Sequence, residues 1–175
     1  MTTTATTSTA PPRGGPTLTT EDVWAAIREA SFSVFGHLTP SGEPRTSGVM
    51  HLAIGRTIWV TTSLDSWKSR HVRRDGRVSM TVLVPRGGLL AHVLPIPPAT
   101  ISFHGTATVH TGDSPEAEEV VERLGARLPE ERRVSIAAIA VAPDGEFLTY
   151  GLGVPLLRMR DPTRSRAHVS VTEDA

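Results

Sequence analysis

The sequence predicts a mainly β protein with flanking helices, in the α+β class, built on a closed or nearly closed barrel. Three observations carry this. About six short runs alternate or are β-branched and are separated by tight turns. One helical segment interrupts them and the other helices lie toward the ends, too few crossovers for a doubly wound parallel sheet. The balance is neutral, with 18 Lys+Arg against 18 Asp+Glu and no Cys, which disfavours a polyanion binder and removes disulfides, thiolate nucleophiles and Cys-ligated zinc.

With 175 residues one domain is expected, spanning 18–162 between a disordered tail at 1–17 and a polar C-terminal tail at 163–175. The first seventeen residues are mostly Thr, Ala, Pro and Gly, with little to offset the entropy of ordering. They lack the basic start and apolar core of a signal peptide, and no apolar run reaches the length of a membrane span. A cytoplasmic protein without membrane or nucleic-acid partners is the expectation.

Thr19 or Thr20 opens a helix with Glu21 and Asp22 in its first turn and Val23, Trp24 and Ile27 as an apolar stripe suited to cover a barrel end. Ser31 to Thr39 and Arg45 to Ile54 read as a hairpin around Pro40-Ser41-Gly42-Glu43-Pro44. Gly55-Arg56 then forms a two-residue link into a strand at Thr57 to Thr62. A short helix follows, capped by Asp65 or Ser66, and Arg77 to Val84 returns to strand. Pro85 to Ala99 is a long apolar loop, of which Leu89 to Pro98 is the candidate substrate side of a pocket. Thr100 to His110 alternates cleanly, and Ser114 to Leu128 is a capped amphipathic helix. Val134 to Val141 reads as a strand buried on both faces, and Phe147 to Arg160 as one or two further short strands.

Chemistry concentrates between Thr57 and Val82. The hydroxyls of Thr61, Thr62 and Ser63 run into a helix start that carries Lys68 in its first turn. A cation there opposes the helix dipole unless an anion offsets it, so orphan N–H groups, hydroxyls and an ammonium together describe a phosphate site. The competing reading makes Lys68, Arg70, Arg73 and Arg74 a solvated helix face. The first-turn position favours a ligand role for Lys68; Arg70, Arg73 and Arg74 stay at the surface, one of them a candidate second phosphate contact.

The segment GEPRTSGVMHLAIGRTIWVTTSLDSWKSRHVRRDGRVSMTV resembles the core of the pyridoxamine 5′-phosphate oxidase-like split β-barrel family, within the flavin/deazaflavin oxidoreductases. The resemblance covers roughly Val23 to Val109. It implies a six- to seven-stranded split β-barrel of FMN-binding type, and a homodimer holding FMN, or alternatively a deazaflavin coenzyme, at its interface. The implied function is a flavin-dependent oxidoreductase passing hydride to or from a small organic substrate. The alternative is a non-catalytic binding protein for flavin, deazaflavin or haem. Carried onto this chain, the cofactor-binding positions are Ser47, Gly48, Val49 and Met50 along the ring, Thr61, Thr62, Ser63, Trp67 and Lys68 at the phosphate, and Thr100. Gly48 would let a ring approach closely, although a plain barrel strand with a bulge at Gly48 accounts for the same residues.

Two departures separate the chain from the vitamin B6 oxidase. Trp67 stands where a basic residue is usual, and the C-terminal Arg- and Trp-containing substrate signature is missing from Phe147 to Ala175. Hydride chemistry belongs to the cofactor, so no catalytic acid or base is assigned. Among seven histidines no HExxH pattern occurs, and His104 and His110 on one strand face stand about 20 Å apart. A set drawn across strands from His37, His51 and His104 stays open, and no metal is assigned. No GxSxG elbow supports a hydrolase. Asp75 within the basic run Arg70 to Arg77 and 5% aromatics weigh against nucleic-acid binding.

Overall fold

The structure, a computed structural model, describes residues 15–88, 96–111, 115–125 and 136–172. The expected tail to residue 14, most of the apolar loop (89–95), Ser114, the helix end beyond 125 and Val134-Ser135 lie outside the described residues.

The elements run α1 (Thr20–Glu29), β1 (Phe32–Leu38), β2 (Pro44–Ile54), β3 (Thr57–Ser63), α2 (Trp67–Arg74), β4 (Arg77–Val84), β5 (Ala99–His110), α3 (Pro115–Gly125), β6 (Ile136–Tyr150), a 3-10 helix (Leu156–Arg160) and β7 (Arg166–Ser170). The strand order is β3-β2-β1-β4-β5-β6-β7, and a β3–β6 ladder closes the first six into a barrel. All pairings are antiparallel, and the seventh strand adds to β6 outside the closed ring. This is a split β-barrel.

Local chemistry explains the boundaries. Thr19 caps α1 in a reciprocal box with Asp22. Gly55, with φ 59°, supplies the positive φ that a two-residue hairpin needs between Ile54 and Thr57. Of the two cap candidates for α2, Ser66 is the one used, its hydroxyl accepting from Ser69 N–H.

The helices take three different sides of the barrel. Val23, Trp24 and Ile27 of α1 are fully buried in the main core beneath the end where β1 begins. Val72 of α2 enters the same core, beside the end where β1 finishes. On the outer wall Ala117, Val120 and Leu124 of α3 pack on Trp59 and Ala138 in a second cluster. This outer cover is why the first half of β6 reads as apolar on both faces.

Three expectations are corrected near the C-terminus. The strand expected to stop at Val141 continues unbroken to Tyr150 through Pro143-Asp144-Gly145. Here β6 leaves β3, whose last partner is Val141, and takes up β7 from Glu146. Pro143, which lacks an N–H, falls in the gap between the two neighbours, and Gly145, at φ 70°, lies there too, its carbonyl accepting from Val171 N–H at 3.0 Å. The register against β5 shifts at the same place. Beyond Tyr150, Gly151 and Gly153 adopt φ 77° and 68°, and the chain turns into a 3-10 helix rather than another strand. Finally, part of the expected polar tail at 163–175 forms β7, whose Val169 is 6% exposed against the core. Alternation there covers only five residues with a single buried side chain, too weak a pattern to read in advance.

Trp24 makes edge-to-face contact with Phe147 at 5.5 Å, and its indole Nε1 is buried without a partner among the described residues. Trp24→Ala should therefore destabilise the fold by about 3–5 kcal/mol. Trp24→Phe, which removes the orphaned N–H as well as volume, should cost clearly less. Urea midpoints of the two variants check this ordering.

Candidate functional site

The ladder between β2 and β3 is short. It runs from Ile54/Thr57 only to His51/Val60. Beyond it, Thr61, Thr62 and Ser63 pair with Ala138, Ala137 and Ile136 of β6, while Arg45 to Met50 of β2 remain paired with β1 alone. The two strands thus diverge and leave a notch, with β2's free edge on one side and the end of β3 on the other. An unpaired strand edge offers a row of N–H and C=O groups to any partner that can use them. Helix α2 begins at the β3 end of the notch, and Arg45 of β2 reaches it, its guanidinium carbon 5.6 Å from the Trp67 ring centre.

At this corner the Thr62 hydroxyl meets the Ser66 hydroxyl at 2.9 Å, and Ser66 Oγ accepts from Ser69 N–H at 3.0 Å. The first turn of α2 contains no acidic residue, while Lys68 sits in it, half-buried. Burial holds the Lys68 ammonium below the usual lysine range. Its ammonium lies 5.8 Å from the Trp67 ring centre and has no carboxylate partner among the described residues. Strand alternation sends Thr62 and its neighbours Thr61 and Ser63 to opposite faces, so of the three hydroxyls Thr62 is the one tied to the helix start.

Trp67 is not a surface accident. It stacks on His37 at 5.1 Å and 27°, and His37 Nε2 lies 3.2 Å from His71 Nδ1. His37 is 4% exposed, and its Nδ1 is buried without a partner among the described residues. Its pKa is lowered, first by burial and then by the neighbouring charge of His71, Lys68 and Arg45. Ser47 Oγ and Ser69 Oγ are likewise buried and unpartnered. Three of the four such atoms among the described residues therefore belong to β1, β2 and α2. Buried polar atoms ordinarily have partners, so this is the part of the molecule whose polar groups are least satisfied by the protein itself.

Along β2 the four proposed wall residues divide by face. Val49 is in the barrel core and Ser47 shares its side, while Gly48 and Met50 point outward. The Phe32 ring covers Gly48: a Cβ added there would stand 2.8 Å from Phe32 Cζ. Phe32 and Met50 are opposed across the β1–β2 ladder and are 47% and 42% exposed, a rare pair of large apolar side chains left open. Thr100 is not brought to the corner. It lies on β5, opposite Leu83, which is itself opposite Phe32. Arg70 donates to the Asp65 carbonyl at 2.8 Å, and Arg73 and Arg74 are exposed, as expected of surface residues.

Sequence reasoning took Ser66 only as a cap and did not link His37, Arg45 and His71 to the site. The register of the hairpin places His37 opposite Arg45, whereas His71 joins them only through the placement of α2 against β1. His51 has a separate, structural place. Its Nε2–H donates to the Ile27 carbonyl at 3.1 Å, so Nδ1 accepts from the Ser33 hydroxyl at 2.8 Å, and burial lowers its pKa.

Fold and corner define a class: a split barrel with a strand-edge notch ending at a cationic helix start. The family model for pyridoxamine 5′-phosphate oxidase matches residues 19–148, and the chain belongs to that family. No curated protein matches the sequence. Among solved structures, the General Stress Protein 26 from Bacillus anthracis str. Sterne is similar at 15% identity and TM-score 0.57, over 74% of this chain and 92% of that one. A haem-binding protein from Mycobacterium smegmatis is similar at 15% identity and TM-score 0.64, over 87% of this chain and 57% of that one. An F420 reductase is similar at 16% identity and TM-score 0.53, over 70% and 93%. At these identities the likeness is one of fold. No helix among the described residues is long and apolar enough to cross a membrane.

His37 and His51 are both held neutral by the fold, whereas the unfolded chain takes up protons near the ordinary value of 6.5. Below that value the unfolded state binds more protons, so stability should be highest above about pH 6.5 and fall on acidification. Each group contributes a slope of at most about 1.4 kcal/mol per pH unit in its window. Denaturant midpoints between about pH 8 and pH 5 measure the slope, and His51→Gln should flatten it.

Proposed function

We propose that the protein is a flavin-dependent oxidoreductase that works as a homodimer and binds FMN in the β2–β3 notch, a deazaflavin coenzyme being the alternative occupant. The carrying observation is Lys68, half-buried at the start of α2 with no carboxylate partner among the described residues. The residues present fit a phosphate: the helix start supplies N–H donors, Thr62 and Ser66 supply hydroxyls, and Lys68 with Arg45 supplies charge. In this reading Trp67, in the place of a second cation, is a rigid wall that holds the Arg45 side chain toward the notch.

A bound flavin supplies the hydride chemistry. The protein's part is to bind and orient. Lys68 and the α2 N-terminus fix the phosphate end, and the free edge of β2 from Arg45 to Met50 offers backbone donors and acceptors to a ring system. Phe32, over Gly48, excludes water from that edge or moves aside as a ring docks. The exposed Phe32 and Met50 are the surface we assign to the second protomer, where they would lose their solvent exposure.

The competing reading is a non-catalytic binding protein for flavin, deazaflavin or haem; the same fold occurs in a haem-binding protein and in an F420 reductase. The two separate on one measurement, whether bound cofactor is reduced and passes electrons to test acceptors.

Binding itself is tested by titrating FMN and riboflavin in parallel. The wild type should prefer FMN, and Lys68→Ala should weaken FMN about 10- to 100-fold while leaving riboflavin nearly unchanged. Equal affinity of the two flavins for the wild type would remove the phosphate role. Phe32→Glu should shift the protein toward monomer in analytical ultracentrifugation; a wild type that is already monomeric at assay concentrations would remove the dimer.

A further inference from the structure

At the far end of β6 from the Ile136–Ala138 segment that pairs with the phosphate corner lies a second concavity. Ile96 and Pro97 ahead of β5, Tyr150 at the end of β6, and Leu156, Met159 and Arg160 of the 3-10 helix enclose about 480 Å³. That volume is of small-molecule size. Its walls are apolar, with Leu156 42% exposed into solvent, and they include an aromatic ring and a polarizable thioether. The wall is also fixed in place. The Tyr150 hydroxyl donates to the Met159 carbonyl at 3.1 Å, and Arg86 donates to the Val154 carbonyl and contacts Met159 Sδ from behind.

The charge at the rim sets the ligand chemistry. Asp161, the acid next to Arg160 in the chain, is engaged by Arg164 at 3.2 Å and by Thr163 Oγ1 at 2.6 Å. Arg160 has no carboxylate partner among the described residues. A planar guanidinium free at the edge of an apolar slot suits a carboxylate on a flat hydrophobic body. We propose that this cleft binds a small aromatic carboxylic acid, with Arg160 pairing the carboxylate and the Tyr150–Leu156–Met159 wall covering the ring. The site needs no flavin and is separate from the notch.

Tyr150 is the one tyrosine in the sequence, so protein grown with fluorotyrosine gives a single fluorine NMR signal located in the cleft. Titration with naphthalene carboxylate, without flavin, should shift that signal saturably. The neutral naphthalene methanol should bind about tenfold more weakly, the worth of one charge-assisted contact. Arg160→Gln, at an exposed position, should abolish the preference and leave alcohol binding unchanged. No saturable shift with either compound would overturn the proposal. So would equal affinities for acid and alcohol in the wild type, or a preference that survives in Arg160→Gln. Because flavin is absent throughout, these outcomes are independent of whether the notch binds FMN.

Discussion

The divergence of β3 from β2 after the His51/Val60 pair is the constraint on which the rest of the molecule depends. β3 pairs with both neighbours from Ile58 to Val60, but beyond Val60 it follows β6 alone to Ile136, which leaves β2 from Met50 back to Arg45 paired only with β1. An open edge is ordinarily a liability for a β protein. Here the gap is flanked by a helix start, and three of the four buried side-chain polar atoms without a partner among the described residues stand around it: Ser47 Oγ, His37 Nδ1 and Ser69 Oγ. β6 shows the same economy at its other end, leaving β3 at Val141 and gaining β7 at Glu146, with Pro143 and Gly145 in the interval. The notch lies at one end of β6 and the cleft beside Tyr150 at the other.

Electrostatics then distinguish the regions. Around α2, Lys68, Arg45 and His71 surround a buried His37 whose pKa is lowered, first by burial and next by these charges. Lys68 in the first turn of α2, with Arg45 close by and no acid in that turn, is unfavourable by itself and is relieved by an anion. Trp67 tempers it by stacking on His37 and lying under Arg45, contacts that a basic side chain in its place would turn into further repulsion. Trp67 is thus compatible with a phosphate corner of lower total charge.

Much of the barrel was legible because alternation is a local property: Arg77–Val84 and the β5 strand follow directly from period two, and Thr19 and Gly55 announce their cap and turn. What was illegible depends on partners. Pro143-Asp144-Gly145 reads as a break unless one knows that β6 changes neighbours there. Arg166–Ser170 reads as tail unless β6 is already present to receive it. At the site, the cation at the helix start was visible in the chain, whereas the joining of His37, Arg45, Trp67 and His71 required the hairpin register and the placement of α2 against β1. Alternation also qualifies the three-hydroxyl run: consecutive strand residues face opposite ways, and Thr62 is the member bonded to Ser66.

The central claim is that the start of α2 is built for a phosphate dianion. Phosphorus NMR of FMN with the protein in excess tests it most directly. Free FMN titrates near the usual phosphate value of about 6. The account predicts a displaced resonance that stays in the dianion position as pH falls through that value, because Lys68 and the helix N–H groups favour the charged form. A resonance with the shift and titration of free FMN would contradict it.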